Sequence, residues 1–278
     1  MKIFFLLTLG FAAIKLNALF AQRTFDRVSY DWSAIWTDTA VLVGTLLWVY
    51  ALRKIVGRER GPIDFQAPPA VVPSKAAMSW LTLLGVVIAI GAHSLFKWPS
   101  VCEGDAAATM QRLGLLTPEG FAQRMAATHF IDYIPYVLAA CVLTPIAEEI
   151  VFRREALGYL LRTKTIPMAI GIQAGIFGLF HFSSVAALVD SFIFAIMLGA
   201  IQMIAKDVRI PIIVHGIYNL SLITPIHGRI FATKDPAQLC SYQAWLPEIV
   251  SVSLAIPAGI FLVVWLYKSS RQELTPVH

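Results

Sequence analysis

Apolar stretches of about 20 residues recur along the whole chain, and they constrain its fold more than any other feature. A helix of that length spans the hydrocarbon core of a bilayer, where only helices and closed barrels satisfy every backbone hydrogen bond. The composition agrees, because 58% of the residues are apolar and only 14% are charged. The sequence therefore predicts an all-α fold, a polytopic membrane helical bundle.

The apolar runs predict about eight transmembrane helices. The expected spans are Ile3–Ala21, Ala34–Leu52, Ala76–Phe96, a fourth from Ile131, a fifth from Pro167, a sixth over Phe192–Ala205, a seventh from Pro211 and an eighth over Ile249–Tyr267. Asp190 and Ser191 are expected to form the outer turn between the fifth and sixth spans. Basic residues concentrate on the loops of one side, so the positive-inside rule predicts an inner or plasma membrane protein with both termini cytoplasmic.

Two local features leave alternatives open. Residues 1–21 are interpreted as an uncleaved first helix rather than a signal peptide, because a small residue is missing three places before a cleavage point at Ala21. Cys102 and Cys240 fall in two predicted external loops, the first of which covers 97–129. They either form a disulfide or stay as free thiols.

Four ionisable side chains follow one another closely at the end of the fourth apolar run: Glu148, Glu149, Arg153 and Arg154. A charge near the bilayer centre costs on the order of 3 kcal/mol, so such a cluster is a candidate functional site. Glu149 and Arg153 are four residues apart and can pair on one helix face, whereas Glu148 points about 100° away. The motif alone also fits an ion-pair brace between helices. Pro145 is expected to interrupt the backbone ladder one turn before Glu148.

Two further pairs have the same spacing of four residues. Phe177 and His181 share a face of the fifth span, and His215 and Asn219 share a face of the seventh. Each pair alone is typical of hydrogen bonding between membrane helices. Together with the carboxylates they supply a base, a second proton-handling group and neutral donors for an oxyanion. Hydrolysis of an amide by an activated water needs such a set.

The three patterns Glu148-Glu149-x-x-x-Arg153, Phe177-x-x-x-His181 and His215-x-x-x-Asn219 resemble the motifs of the CAAX-protease and bacteriocin-processing (CPBP, or Abi) family of intramembrane endopeptidases. The resemblance covers about Tyr133 to Thr224. It implies a glutamate-dependent protease in which Glu148 and His181 activate water, while His215 and Asn219 stabilise the oxyanion. Glu149, Arg153 and Phe177 would be supporting residues.

The resemblance also divides the chain, within one structural domain. Residues 131–226 are expected to form the CPBP-like catalytic core, carried by the fourth to the seventh helix. Residues 1–130 would supply N-terminal membrane helices and an external loop of unassigned role. Residues 227–278 would supply an external loop and the C-terminal membrane helix.

No metal or other cofactor is expected to be required. The sequence has no His-Glu-x-x-His motif, and the glutamate and histidine pair with its His and Asn donors accounts for the chemistry without an ion. If a metal such as zinc is present, its predicted ligands are Glu148, His181 and His215.

Two other functions remain open on the sequence: a proton- or ion-coupled transporter, and a non-catalytic membrane protein that binds a peptide as an immunity or scaffold protein. The expected partners are the bilayer and a membrane-associated peptide or protein substrate. Nucleic acid is not expected, because no basic run carries interleaved aromatic residues. Prenylated C-terminal peptides, leader peptides and membrane-anchored sorting tails all suit a cavity within the bilayer, and the sequence specifies no oligomeric state.

Overall fold

The structure, a computed structural model, describes residues 6, 8–14, 30–60, 74–102, 134, 137–182, 185–223 and 246–272. All regular secondary structure in these ranges is helical, as the all-α prediction requires. We number the helices α1 (Tyr30–Arg60), α2 (Lys75–Cys102), α3 (Ala139–Leu160 in four consecutive segments), α4 (Ile166–Phe180), α5 (Val185–Ala205), α6 (Arg209–Ile223) and α7 (Leu246–Gln272). Residues 8–14 form a further helical segment.

The apolar helices make this an integral membrane helical bundle. Within the described ranges, three segments are long and apolar enough to cross a bilayer: Lys75–Ser94 of α2, Val185–Ala205 in α5 and Ile249–Lys268 of α7. Shorter apolar helical stretches cover Trp36–Leu52 and Ile166–Phe180. Most of the predicted first span, the side chain of Cys102 and all of Cys240 lie outside the described residues. The count of eight spans and the alternatives for the two cysteines therefore stay predictions.

Helix α3 changes its winding three times, and the glutamate pair lies between its two π-helical segments. Its segments are π-helical over Ala139–Leu143, α-helical over Thr144–Glu149, π-helical over Ile150–Ala156 and α-helical over Leu157–Leu160. Pro145 lies at the start of the first α-helical segment, directly after a π turn in which the Thr144 N–H donates to the Ala139 carbonyl. The interruption expected at Pro145 thus takes the form of a wider turn rather than a break. π turns are frequent at functional sites.

The predicted boundary between the fifth and sixth spans is wrong. Helix α4 ends at Phe180, and His181 closes it with φ −105° and ψ 13°. Asp190 lies inside α5, not in an outer turn. The reason is that its carboxylate is paired with side chains of neighbouring helices, so no water-facing turn is needed to solvate it. Helix α2 also runs past its predicted end at Phe96 and stops at Cys102.

Packing between the helices places α3, α4 and α6 around one point. Helix α2 packs along α7 and against α5 and α6, α4 packs on α5, and α6 contacts the first π turn of α3. Phe11 of the N-terminal segment is buried behind α3, edge-on to Phe152 at 5.7 Å and tilted against Phe180 at 5.8 Å between ring centroids. Glu148 and Glu149 of the same helix are also fully buried.

Candidate active site

Glu149 is buried and contacts two partners at once. Its Oε2 lies 3.0 Å from the Nε of Arg153, which is the ion pair predicted from their spacing. Its Oε1 accepts a hydrogen bond from Nδ1 of His215 at 2.8 Å, across the interface between α3 and α6. One carboxylate oxygen therefore accepts a hydrogen bond, and the other is paired with the arginine charge. The carboxylate is both a brace within α3 and an anchor for the His215 ring.

Phe177 is enclosed between a cation and an imidazole. The Arg153 guanidinium carbon lies 4.5 Å from the centroid of the Phe177 ring. The His181 ring stacks on Phe177 with centroids 4.4 Å apart and an interplanar angle of 25°. A cation above an aromatic face is favourable, and more so where water is excluded. The Phe177 ring thus contacts both Arg153 of α3 and His181 at the end of α4.

His181 has a defined tautomer. Its Nδ1 lies 2.9 Å from the carbonyl oxygen of Phe177, and since a carbonyl can only accept, Nδ1 carries a hydrogen. The opposite nitrogen, Nε2, lies 3.7 Å from Oε2 of Glu148. The side chain of His181 is 33% exposed, whereas that of Glu148 is 1% exposed. His181 is therefore the partly exposed member of this pair, and Glu148 is the buried one.

His215 brings a second imidazole nitrogen to the same carboxylate. Its Nε2 lies 4.0 Å from Oε2 of Glu148, while its Nδ1 is held by Glu149. Phe194 of α5 packs edge-on against the ring at 5.0 Å. The two adjacent glutamates thus diverge: one orients His215, and the other faces both imidazoles.

Asn219 lies one turn beyond His215 on the same helix face, as its spacing predicts. Its Nδ2 donates to the backbone carbonyl of Ala140 in α3 at 2.7 Å. Of the predicted catalytic residues, the structure brings Glu148, His181 and His215 together, and it gives the Asn219 carboxamide a backbone partner. The spacing of residue types could not predict that partner, because the acceptor is a backbone carbonyl.

The turn before α6 sets the register of His215. Lys206 has a left-handed backbone conformation with φ 56°, which ends α5 at Ala205, and α6 begins three residues further on at Arg209. The Asp207 carboxylate accepts the Arg209 backbone N–H at 3.0 Å and the Arg209 Nε at 2.9 Å, so it caps α6. Hydrogen bonds from the Arg209 side chain hold the pKa of Asp207 below its ordinary value.

A second polar cluster was missed by the sequence reasoning. His93 of α2 donates from Nδ1 to the Oδ2 of Asp190 in α5 at 2.8 Å, and the Tyr218 hydroxyl of α6 lies 3.4 Å from the same oxygen. Phe194 stacks on Tyr218 with centroids 4.5 Å apart, and it also contacts His215. A histidine and an aspartate in apolar runs were the available signal. The cluster ties α2 to the helices that form the site.

Across the described ranges, no group of three or more His, Cys, Asp or Glu side chains is arranged to hold a metal ion. The alternative ligand set of Glu148, His181 and His215 stays a prediction.

The fold defines a class, a helical membrane bundle, and its interior holds paired glutamates and two histidines. Residues 130–221 match the family model described as type II CAAX prenyl endopeptidase Rce1-like, a segment that includes all three motifs. This match confirms the resemblance of the three motifs to the CPBP, or CAAX-protease, family. No curated protein and no solved structure gives a significant match.

Proposed function

We propose that this protein is a glutamate-dependent intramembrane endopeptidase that hydrolyses a peptide bond in a membrane-associated peptide or protein. The observation that supports it most is the buried Oε2 of Glu148, with His181 Nε2 at 3.7 Å and His215 Nε2 at 4.0 Å. A carboxylate with two imidazole nitrogens, all within a membrane bundle, is an expensive arrangement that a purely structural role does not require.

The tautomer of His181 supports water activation. Because Nδ1 carries the hydrogen, Nε2 of the neutral ring offers a lone pair toward Glu148, which is also an acceptor. Two acceptors cannot bond each other directly, and at 3.7 Å apart they can both accept from a single water. Such a water loses a proton to Glu148 as its oxygen attacks the carbonyl carbon of the substrate.

His215 is suited to stabilise the oxyanion that this attack forms. Glu149 accepts from Nδ1, so a proton on Nε2 would make an imidazolium that the buried carboxylate stabilises, as in other carboxylate and histidine pairs. Nε2 would then donate to the oxyanion, with Asn219 as a second donor. When the tetrahedral intermediate collapses, the C–N bond breaks and the proton held at Glu148 moves to the leaving amine.

No bound ion is needed for these steps, and we propose a mechanism without zinc. The substrate class follows from the family, whose name refers to CAAX prenyl endopeptidases. A prenylated C-terminal peptide is therefore the first probe, ahead of leader peptides and sorting tails. We further propose a multi-pass protein of the inner or plasma membrane with both termini cytoplasmic, on the bias of basic residues among its loops.

The test compares Glu148→Gln with Glu155→Gln, a matched change at another buried glutamate of α3. We expect Glu148→Gln to lower turnover by about 100-fold or more and Glu155→Gln to retain it. The first measurement is comparative proteomics of membrane-protein termini in cells with each variant. The second is cleavage of an internally quenched farnesyl-cysteine peptide by purified protein. Unchanged termini and unchanged cleavage in Glu148→Gln would refute the proposal, and chelator-sensitive cleavage restored by zinc would refute the metal-free mechanism.

A further inference from the structure

We propose that Pro145 is a positioning residue that acts through the Ala140 carbonyl to aim the carboxamide of Asn219. The inference deepens the proposed function and rests on it for the catalytic consequence. Its structural part rests on backbone hydrogen bonds, a close helix contact and one side-chain hydrogen bond.

The backbone carbonyl of Ala140 in α3 has no helical N–H donor. In an α-helical ladder the Ala140 carbonyl would accept from the Thr144 N–H, but that N–H donates to Ala139. In a π-helical ladder the donor would be residue 145, which is a proline and has no N–H. Pro145 therefore leaves the half-buried Ala140 carbonyl without a helical donor, and in a membrane bundle such a carbonyl needs another partner.

Asn219 of α6 supplies the missing donor to the Ala140 carbonyl. Its Nδ2 lies 2.7 Å from the Ala140 oxygen, a short hydrogen bond between two different helices. One N–H of the amide is thereby committed to α3. Because the carboxamide is planar, this bond also fixes the direction of the second N–H, which is the one that can donate to an oxyanion.

Gly216 allows the two helices to come close enough. A Cβ on Gly216 would collide with the backbone carbonyl of Cys141, the residue next to Ala140. Cys141 also lacks its α-helical donor, since that donor would again be Pro145. The proline thus removes a helical donor from the carbonyls of Ala140 and Cys141. On α6, the Asn219 amide donates to the first carbonyl, and Gly216 leaves room for the second.

The structural test is a double-mutant cycle on thermal midpoints of the purified full-length protein in detergent. We expect Asn219→Ala to lower the midpoint by several degrees, because a buried carbonyl loses its donor. With Pro145→Ala present, the backbone N–H restored at that position can serve the carbonyl, and the effect of Asn219→Ala should fall to less than half. An equal loss in both backgrounds would overturn the inference.

The functional test uses the farnesyl-cysteine peptide and separates kcat from KM. Pro145→Ala should lower kcat roughly 10- to 100-fold with KM unchanged, because the released carboxamide is misplaced only in the transition state. Pro257→Ala is the matched control, since Pro257 lies inside α7 on an exposed face. It should leave kcat and the effect of Asn219→Ala unchanged. A Pro145→Ala variant with wild-type kcat would refute the positioning role.

The outcomes distinguish this inference from the proposed function. An inactive Glu148→Gln with no coupling between residues 145 and 219 would overturn the positioning role and leave the peptidase mechanism standing. A fully active Glu148→Gln with strong coupling would overturn the mechanism and support the backbone arrangement alone.

Discussion

His215 donates from Nδ1 to Glu149 Oε1 at 2.8 Å, so the second glutamate of the pair is joined to the neighbouring helix as well as to Arg153. Sequence spacing predicted only the ion pair with Arg153. The added contact means that removing Glu149 has two effects at once: it leaves a buried arginine charge unpaired, and it releases the ring that faces Glu148.

These two effects can be separated. We expect Glu149→Gln to destabilise the protein by about 3 to 5 kcal/mol, because Arg153 is fully buried and keeps its charge. Adding Arg153→Met removes the charge and should restore most of the stability, as seen when buried ion pairs are replaced by apolar groups. The double variant should still have about 100-fold lower kcat, since no carboxylate stabilises the His215 imidazolium.

Thermal unfolding in detergent and steady-state cleavage of the peptide probe measure the two quantities on the same sample. Recovery of both stability and kcat in the double variant would mean that Glu149 is only a brace. Recovery of stability without kcat supports its role in orienting His215.

Gly216 should not tolerate a side chain. In Gly216→Ala the new methyl group meets the Cys141 carbonyl, and neither backbone can move without separating α3 from α6. We expect a loss of about 1 to 3 kcal/mol in stability and a fall in kcat. Gly171→Ala and Gly175→Ala in α4 are matched controls with no atom within 4 Å of the added Cβ. They should be neutral or more stable by up to about 1 kcal/mol. Equal behaviour of all three variants would contradict the close contact.

The His93 cluster predicts that α2 is energetically coupled to the helices of the site. His93→Leu removes the nearer donor of the Asp190 carboxylate and should cost about 1 to 3 kcal/mol. Tyr218→Phe should cost less, because its hydroxyl is 3.4 Å from the same oxygen. Thermal midpoints of both variants test the order of the two effects. A His93→Leu variant as stable as wild type would show that this contact does not form in the bilayer.

The Asp207 cap of α6 predicts that the stability of the protein depends on pH in the acidic range. The pKa of Asp207 is lower in the folded protein than its ordinary value near 4, so its charge stabilises the fold at all pH values above that point. This contribution should disappear as the pH falls through the lowered pKa. Asp207→Asn retains a capping oxygen but no charge. The midpoint difference between wild type and Asp207→Asn should be constant from about pH 5 to 8 and shrink below about pH 4. A difference that grows on acidification would contradict the assignment.

The composition and the three motifs were sufficient to predict the class of fold, the family match over residues 130–221 and the side chains that face one another. Ionisable groups stand out in apolar helices, and their spacing of four fixes a shared face. Glu148, His181 and His215 could therefore be selected without coordinates, although their catalytic roles remain predictions.

What the sequence could not provide depends on contacts between helices. Asp190 followed by Ser191 looked like a turn because a carboxylate in an apolar run usually needs water, and its partner His93 is 97 residues away. The end of α4 at Phe180 was also missed, although Ser183 and Ser184 before Val185 are a helix-start signal. The partner of Asn219 is a backbone carbonyl, which no side-chain pattern can reveal.

The position of Phe11 determines how the protein can be split into fragments. Its ring packs against Phe152 and Phe180, directly behind the helix that bears the glutamates. A fragment starting at residue 131 would lack this ring and leave a gap in the aromatic layer. Residues 1–130 and 131–278, produced as two separate chains, should instead recover the layer by associating, so a split-protein complementation assay would report directly on the integrity of the glutamate helix.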